Sequence, residues 1–175
     1  MRKLMNQVYL DIETSGFSEA NDRIVEIAAL KIHHKTNIKS LYHCYFTPEK
    51  KLDAEICGII NLTNQFLDQC PKFETKVNEF ISFIEDSELF VFNKTFVLNF
   101  LNSELDRLGK TKIKNPINDL LDLSNDRYPK DRASLDFLFR ALNGQNSICK
   151  GVINEVFLLP NLFKKIKDYD IDPHH

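Results

Sequence analysis

The chain has 175 residues, a formal net charge of −2 and 43% hydrophobic residues, and it contains 14 Phe. This length and apolar content predict a single domain over residues 1–175, with its core at about 7–167. The small negative charge excludes a global positive field for non-specific nucleic-acid binding, although a local groove can still bind a strand. Polar Asn6 and Gln7 interrupt any signal peptide, and no apolar run approaches the ~18 residues of a membrane helix. We therefore expect a soluble, cytoplasmic protein without membrane contact.

The cysteines and histidines show no ligand spacing. The four cysteines form no C-x-x-C pair, so we expect separate reduced thiols (Cys44, Cys57, Cys70 and Cys149). His33, His34 and His43 lie on strand patterns, which favours structural roles. His174 and His175 have the form of a purification-tag remnant, and we assign them no function.

The first elements in chain order are strands. Apolar or alternating patterns predict strands over residues 7–11, 24–32 and 40–46, which would form an antiparallel meander. Pro48 ends this meander, because proline cannot donate a hydrogen bond to a strand ladder. A short buried strand is predicted farther along the chain, over residues 89–92.

The remaining predicted elements are helices. Apolar residues at helical spacing predict helices over residues 75–85, 96–108, 134–142 and 152–166. Gly109 would end the second helix, Ser134 would cap the third, and Pro160 should kink the fourth. The order β-β-β-α-β-α-α-α predicts an α/β domain with a mixed sheet flanked by helices.

Two carboxylates at the end of the first strand are the strongest candidates for chemistry. Asp11 and Glu13 stand at positions i and i+2, so they point to the same face of the strand just before Gly16. Such a pair suits Mg²⁺ or Mn²⁺, which prefer oxygen ligands. Taken alone, the pair would be better explained as ordinary exposed acids at a strand end.

Further segments make the chain resemble a known family. The motif Leu10-Asp11-Ile12-Glu13-Thr14-Ser15-Gly16 resembles the first motif of the DnaQ-like (DEDD-superfamily) 3′–5′ exonucleases, which include the proofreading epsilon subunit of bacterial DNA polymerase III. Four other segments match in the same order: Asp22 to Ala28, Ile56 to Ile59 with Pro71 to Phe73, Asn118 to Leu120, and Ser134 to Asp136. The resemblance runs from about Val8 to Lys167 and implies a ribonuclease-H-like fold.

The second and third motifs of that family are degraded here. In the second, Asn93 and Phe96 match, but Val97 stands where the family has a metal-binding aspartate. In the third, Lys150 replaces the general-base histidine, and our alignment places Asn154 at the last aspartate. The adjacent Glu155 would then face away from the site, because one residue along a helix turns the side chain by ~100°.

The resemblance implies a two-ion hydrolysis of phosphodiesters that needs four carboxylates and a histidine base. With Asp11 and Glu13 as the retained carboxylates, any Mg²⁺ or Mn²⁺ binding is expected to be weak or limited to one site. A hypothesis from the charge count is that Lys150 forms an ion pair with Asp11 or Glu13 and replaces a metal ion. Asn99 or Asp119 could still approach and complete the site.

Three functions stay open at this level. The first is a catalytically impaired or inactive exonuclease domain, a pseudoenzyme that binds nucleic acid or protein. The second is an active metal-dependent 3′–5′ exonuclease with an unusual site, and the third is a subunit associated with DNA polymerase. For a single-stranded DNA or RNA 3′ end, the resemblance implies contacts from Thr14, Gly16, Asn93 and Phe96.

Overall fold

The computed structural model describes residues 4–124, 134–143 and 151–168. Five strands lie in these stretches: β1 (Asn6–Thr14), β2 (Ile24–Ile32), β3 (Lys39–Tyr45), β4 (Ser87–Val91) and β5 (Ile117–Asp119). The same stretches contain helices α1 (Ala54–Ile60), α2 (Asn64–Leu67), α3 (Phe73–Ile84), α4 (Lys94–Arg107), α5 (Leu120–Ser124), α6 (Leu135–Asn143) and α7 (Val152–Asp168). None of these helices combines the length and the apolar character that a membrane crossing requires.

The five strands form one sheet in the order β3-β2-β1-β4-β5. Strands β1, β2 and β3 pair antiparallel, as predicted for the meander, whereas β4 and β5 add in parallel on the other side of β1. The predicted mixed α/β sheet is therefore confirmed. Because β1, β4 and β5 run in the same direction, their carboxyl ends meet at one edge of the sheet, where sites in such folds usually lie.

Side chains of β1 alternate between two apolar layers, which explains why helices cover both faces of the sheet. Val8 and Leu10 point into a core shared with α3 and α4. Tyr9 points to the opposite face, where it stacks on Phe90 at 4.8 Å between ring centroids and meets Phe163 of α7 at 6.1 Å. Asp11 and Glu13 have the same parity as Tyr9, so they lie on the α7 face.

The predicted helices are present within three residues of the expected bounds. Ser134 caps α6, because the Phe137 N–H donates to its hydroxyl at 3.1 Å. Gly109 has φ of +62° after α4, and the next N–H, from Lys110, donates to the Leu105 carbonyl at 2.9 Å. Helix α7 continues through Pro160, so the proline does not end it, and the predicted kink stays a prediction.

The short elements α1, α2, α5 and β5 were not predicted. Each spans seven residues or fewer, which is too short for a clear apolar period. Local contacts hold them instead: Thr63 caps α2 through a hydrogen bond from the Phe66 N–H at 3.2 Å. The strand-end aspartate suggested by the family resemblance is present, since β5 ends at Asp119.

The loop between β1 and β2 is fixed to α4 by a dense polar network. Arg23 donates two hydrogen bonds to Glu104, at 2.8 and 3.0 Å, and the Ile24 N–H donates to the same carboxylate at 3.2 Å. Farther along the loop, the Glu19 carbonyl accepts hydrogen bonds from Ser103 at 2.7 Å and from Arg107 at 2.6 Å. The segment that follows the acidic pair is therefore held against the helix that begins beside it.

Candidate active site

The acidic pair lies where β1 reaches the edge of the sheet. Asp11 pairs across the ladder with Ala28, and Glu13 pairs with Glu26. The ladder shifts register between Glu13 and Thr14, so regular pairing ends directly after the second acid. Sequence reasoning thus placed both carboxylates correctly on one face of a strand end.

A third carboxylate joins the pair from α7. The carboxyl groups of Asp11 and Glu155 lie close together, since both the charge of Glu155 and side-chain hydrogen bonding with it raise the pKa of Asp11, in addition to the larger effect of burial. The prediction that Glu155 faces away from the site is therefore wrong. Asn154, which we had aligned with the family aspartate, is exposed, whereas Glu155 is half-buried. The spacing of the family motif could have predicted the position of Glu155, because Glu155 is the sixth residue of a His-x-Ala-x-x-Asp pattern that starts at Lys150.

These carboxylates repel one another in a poorly solvated place. Burial, followed by the nearby charge of Glu155, raises the pKa of Asp11 well above its usual range. Burial also raises the pKa of Glu13, to about 7, with further contributions from Glu155 and Glu26. Without a cation the site therefore holds protons near neutral pH.

The position at which the resemblance implies a fourth carboxylate is occupied by an apolar side chain. Val97 is 2% exposed and belongs to the core between the sheet and α4. Neither of the proposed substitutes reaches the acidic pair by hydrogen bonding. Asp119 accepts hydrogen bonds from the backbone N–H groups of Asn93 and Lys94, at 2.9 and 2.8 Å, and thereby caps the start of α4. Asn99 donates to Glu19 at 3.3 Å.

The donor set decides what metal this site could hold. Asp11, Glu13 and Glu155 offer oxygen ligands of the kind that Mg²⁺ and Mn²⁺ prefer, and a cation would relieve the repulsion between them. Val97 offers no donor, so the two-ion arrangement of the family does not fit. Within the three described stretches, no group of three or more His, Cys, Asp or Glu side chains already has the arrangement of a metal site.

Lys150, the residue at the family histidine position, lies outside the described residues. Its predicted ion pair with Asp11 or Glu13 therefore stays a prediction. Among the residues that the structure does describe, no Lys or Arg pairs with either acid.

The residues expected to contact a nucleic acid lie at the same sheet edge. Thr14 is buried, and its hydroxyl donates to the Gly16 carbonyl at 2.6 Å, which shapes the turn after β1. Gly16 has no room for a side chain, because a Cβ there would overlap the carboxylate of Asp22. Both residues thus have structural reasons for their identity, and their contact with nucleic acid stays a prediction.

Asn93 and Phe96 shape the start of α4. Asn93 has φ of +63°, and its side chain accepts a hydrogen bond from the Phe96 N–H at 3.2 Å. This is an N-cap in a backbone conformation that asparagine tolerates better than most residues. Phe96 is half-buried and packs on Phe100 at 4.9 Å between ring centroids. The pair therefore lies just after β4, at the start of α4.

A cavity of about 670 Å³ opens beside the acids. Glu13 and Glu155 form its acidic wall, and the segment 58–62, at the end of α1, forms another. Glu26 and Tyr45 extend the acidic wall across β2 and β3. This cavity is large enough for a ligand the size of a nucleotide.

Sequence reasoning missed the role of Glu26 beside this cavity. Its carboxylate lies 2.7 Å from His43 Nε2, and it contributes, after burial, to raising the pKa of Tyr45. His43 thus has a structural partner. The other two histidines of the strand patterns do too: His33 contacts Ser40 at 3.1 Å and His34 contacts Asn6 at 3.2 Å. The sequence could have indicated this role of Glu26 only through its pairing with Glu13 across the two strands. That pairing is known only once the register of β2 against β1 is known.

Comparison with known proteins identifies the family to which this chain is similar. A family model described as exonuclease (RNase_T) matches residues 8–147. The DNA polymerase III subunit epsilon of Rickettsia typhi is 34% identical over 167 residues, which cover 91% of this chain and 72% of that protein. The epsilon subunit of Salmonella typhimurium is 29% identical over 153 residues, covering 82% of this chain and 63% of that protein.

Solved structures show the same fold. Escherichia coli exonuclease I, solved with a dT13 oligonucleotide, has a TM-score of 0.79 at 18% identity, and the match covers 94% of this chain and 41% of that one. The nuclease domain of 3′hExo, a DEDDh family member solved with rAMP, has a TM-score of 0.73 at 13% identity and covers 97% and 94% of the two chains. These matches confirm the predicted ribonuclease-H-like fold. By its family match and its identity to the epsilon subunits, the chain belongs to the DnaQ-like exonuclease family.

Proposed function

We propose that this chain is a 3′–5′ exonuclease domain of reduced catalytic power that still binds the end of a single strand. The observation that carries this proposal is the composition of the acidic site. Asp11, Glu13 and Glu155 provide three carboxylates, and Val97 closes the fourth position with a buried apolar side chain. Three carboxylates can hold one divalent ion, but they lack the charge to balance two.

With three carboxylates, the site could still perform part of the exonuclease reaction. A bound Mg²⁺ or Mn²⁺ ion would supply Lewis-acid activation of a phosphodiester. The residues around it would bind and orient the strand end, with the 670 Å³ cavity receiving a nucleotide. The family histidine is replaced by Lys150, whose ordinary pKa near ~10.4 makes it a poor proton acceptor at neutral pH.

The central experiment follows degradation of a 5′-labelled single-stranded oligonucleotide with Mn²⁺. We expect at most slow shortening by the wild type and none by a variant with both Asp11→Ala and Glu13→Ala. A double variant with Val97→Asp and Lys150→His restores a carboxylate and a base, and it should produce a 3′ ladder. Rapid laddering by the wild type that the alanine variant loses would overturn the proposal of impaired catalysis.

Metal binding can be measured separately by titration calorimetry with Mn²⁺. Glu155→Gln should weaken binding by tenfold or more, because it removes a charged ligand, whereas the matched neighbour variant Asn154→Ala should leave it unchanged. Lys150→His should strengthen binding if Lys150 neutralises the site. Equal affinities for the Glu155 and Asn154 variants would contradict the assignment of Glu155 as a ligand.

Strand binding is expected to be modest and sensitive to salt. The formal charge of −2 gives the chain no global positive field, so affinity must come from local phosphate contacts. Retention of a labelled DNA or RNA oligonucleotide should therefore fall as the salt concentration rises from 50 to 200 mM, because each phosphate contact releases counterions from the strand. Salt-independent retention would argue against phosphate recognition.

A second candidate is an active exonuclease with an unusual site. The engagement of Glu155 with Asp11 favours it, because the site then has three acids rather than two. The same oligonucleotide assay separates the two candidates. Association with a DNA polymerase, which the names of the epsilon relatives suggest, would be tested by recovery of polymerase with the full chain from its source cell.

A further inference from the structure

Three side chains that line the cavity form one row across the sheet, from acidic to aromatic. Glu13 of β1 pairs with Glu26 of β2, and Glu26 pairs with Tyr45 of β3. Residues opposite one another in a sheet point to the same face, so all three side chains lie on the α7 face and reach the same cavity. Because neighbouring strands are about 4.8 Å apart, Tyr45 lies roughly 10 Å from Glu13 along this row. The base of a nucleotide can reach that far from its own phosphate.

The Tyr45 ring is held at the cavity by two neighbouring rings. The ring of His43 meets it at 4.7 Å between centroids with 78° between the planes, and the ring of Phe66 meets it at 4.9 Å with 87°. Such edge contacts are a preferred aromatic geometry, and they position the ring without enclosing it. Tyr45 stays partly exposed, whereas Tyr42 of the same strand is 6% exposed and belongs to the core. The fold therefore presents a fixed aromatic ring to the cavity.

The rest of the lining favours a flat, uncharged group beside Tyr45. The segment 58–62 adds three apolar side chains to the lining, those of Ile59, Ile60 and Leu62. Glu26 stands between Tyr45 and Glu13, so a phosphate in this part of the cavity would face carboxylates and be repelled. Aromatic side chains bind nucleic-acid bases by stacking, because every base has a π-face. A nucleobase therefore fits beside Tyr45, with its phosphate at the acids of β1.

We propose that the cavity contains a base subsite, in which Tyr45 stacks on the base of the strand-end nucleotide and Glu26 selects a base with an exocyclic amino group. This inference rests on the proposed binding of a strand end. Glu26 Oε1 lies 2.7 Å from His43 Nε2, but a carboxylate has about four acceptor positions, so it can accept a further hydrogen bond. Adenine, cytosine and guanine carry an amino group that can donate it, whereas thymine and uracil carry carbonyl oxygens instead.

The primary test measures binding of 5′-labelled single strands by fluorescence anisotropy with Mn²⁺, before any strand is shortened. The strands are identical except for the 3′-terminal residue, which is dA, dC, dT or abasic. We expect the wild type to bind the dA and dC strands about fivefold or more tightly than the dT strand, and the abasic strand most weakly. Binding that does not depend on the terminal base would overturn the subsite and leave the proposed function standing. Failure to bind any of the strands would overturn both.

Variants of Tyr45 test the stacking. Tyr45→Leu removes the ring and should lower affinity for the dC strand by roughly fivefold or more, whereas Tyr45→Phe keeps the ring and should retain that affinity. Leu41→Ala is the matched surface control, since Leu41 is 45% exposed on the same strand and lies ~13 Å from Tyr45. Urea denaturation verifies that each variant is folded. Equal affinities of folded Tyr45→Leu and Tyr45→Phe would contradict stacking.

A substitution at Glu26 tests the selection of the base. In Glu26→Gln the amide can accept from cytosine and also donate to thymine, so the preference for the dC strand over the dT strand should be lost. Asp136→Asn is the matched control, because it also removes a carboxylate from the cavity lining but lies on α6, and it should keep the preference. An unchanged preference in Glu26→Gln would show that Glu26 does not read the base.

Discussion

Two carboxylate sites at the same end of this molecule have opposite electrostatics. Glu104, 1% exposed, accepts two hydrogen bonds from Arg23 and lies 3.3 Å from Arg107. Asp11 faces another carboxyl group, that of Glu155, and among the described residues no Lys or Arg pairs with it. The first site is neutralised by the fold, and the second is left to be neutralised by protons or by a cation.

This difference separates the residues that hold the fold from those that can do chemistry. A buried carboxylate with its partners in place has its charge balanced, so it has no capacity for a further ligand. Acids that repel one another make the folded state less stable and give the site an affinity for cations. The network around Glu104 also anchors the loop that follows the repelling acids, so one site supports the other.

The largest expected change in the free energy of unfolding comes from removing the charged partner of Glu104. Arg23→Ala leaves Glu104 buried without its main partner, so we expect the free energy of unfolding to fall by about 3–5 kcal/mol. Urea denaturation followed by circular dichroism measures this change. A loss below about 1 kcal/mol would mean that Glu104 is solvated or neutralised elsewhere, and the contrast between the two sites would fail.

Removing an acid from the repelling site should raise the free energy of unfolding, whereas Arg23→Ala should lower it. The folded pKa of Glu13 is about 7, against an ordinary value of 4.5, so the folded state binds this proton more tightly than the unfolded state does. The corresponding contribution to stability is complete below pH 4.5 and is lost as the pH rises through about 7. In metal-free buffer, Glu13→Gln should therefore stabilise the protein above pH 7 by up to about 3 kcal/mol.

The measurement is the free energy of unfolding of both proteins from pH 4 to pH 8. The two curves should lie nearly parallel at the acidic end, and the wild type should lose stability relative to the variant as the pH rises. Parallel curves over the whole range would show that Glu13 titrates normally and that the site does not repel a second charge.

The smallest expected effect concerns an exposed ion pair that belongs to neither site. Lys76 contacts Glu79 at 3.1 Å on the surface of α3, and both side chains are well exposed to solvent. Lys76→Ala should change the free energy of unfolding by less than about 0.5 kcal/mol, because exposed pairs are screened by water and salt. The same urea titration provides this reference. A loss comparable to that of Arg23→Ala would show that burial does not explain the contrast.

The sequence predicted the layers better than the site. Apolar periods identified the strands of the meander and the four longer helices, since burial of one face imposes those periods. The pair Asp11 and Glu13 was also predictable, because alternation along a strand determines which residues share a face. Glu155 was misjudged through a register error of one residue, which on a helix moves a side chain by ~100°. Glu26 was missed because its proximity to Glu13 depends on strand pairing.

The sequence by itself determined the family and the mixed α/β class, because these follow from local patterns and residue chemistry. Only the tertiary structure decided that Glu155 completes an acidic cluster with Asp11 and that Glu26 extends it. The rotation of α7 about its axis and the register of β2 set those contacts, and both result from packing between segments that are distant in the chain.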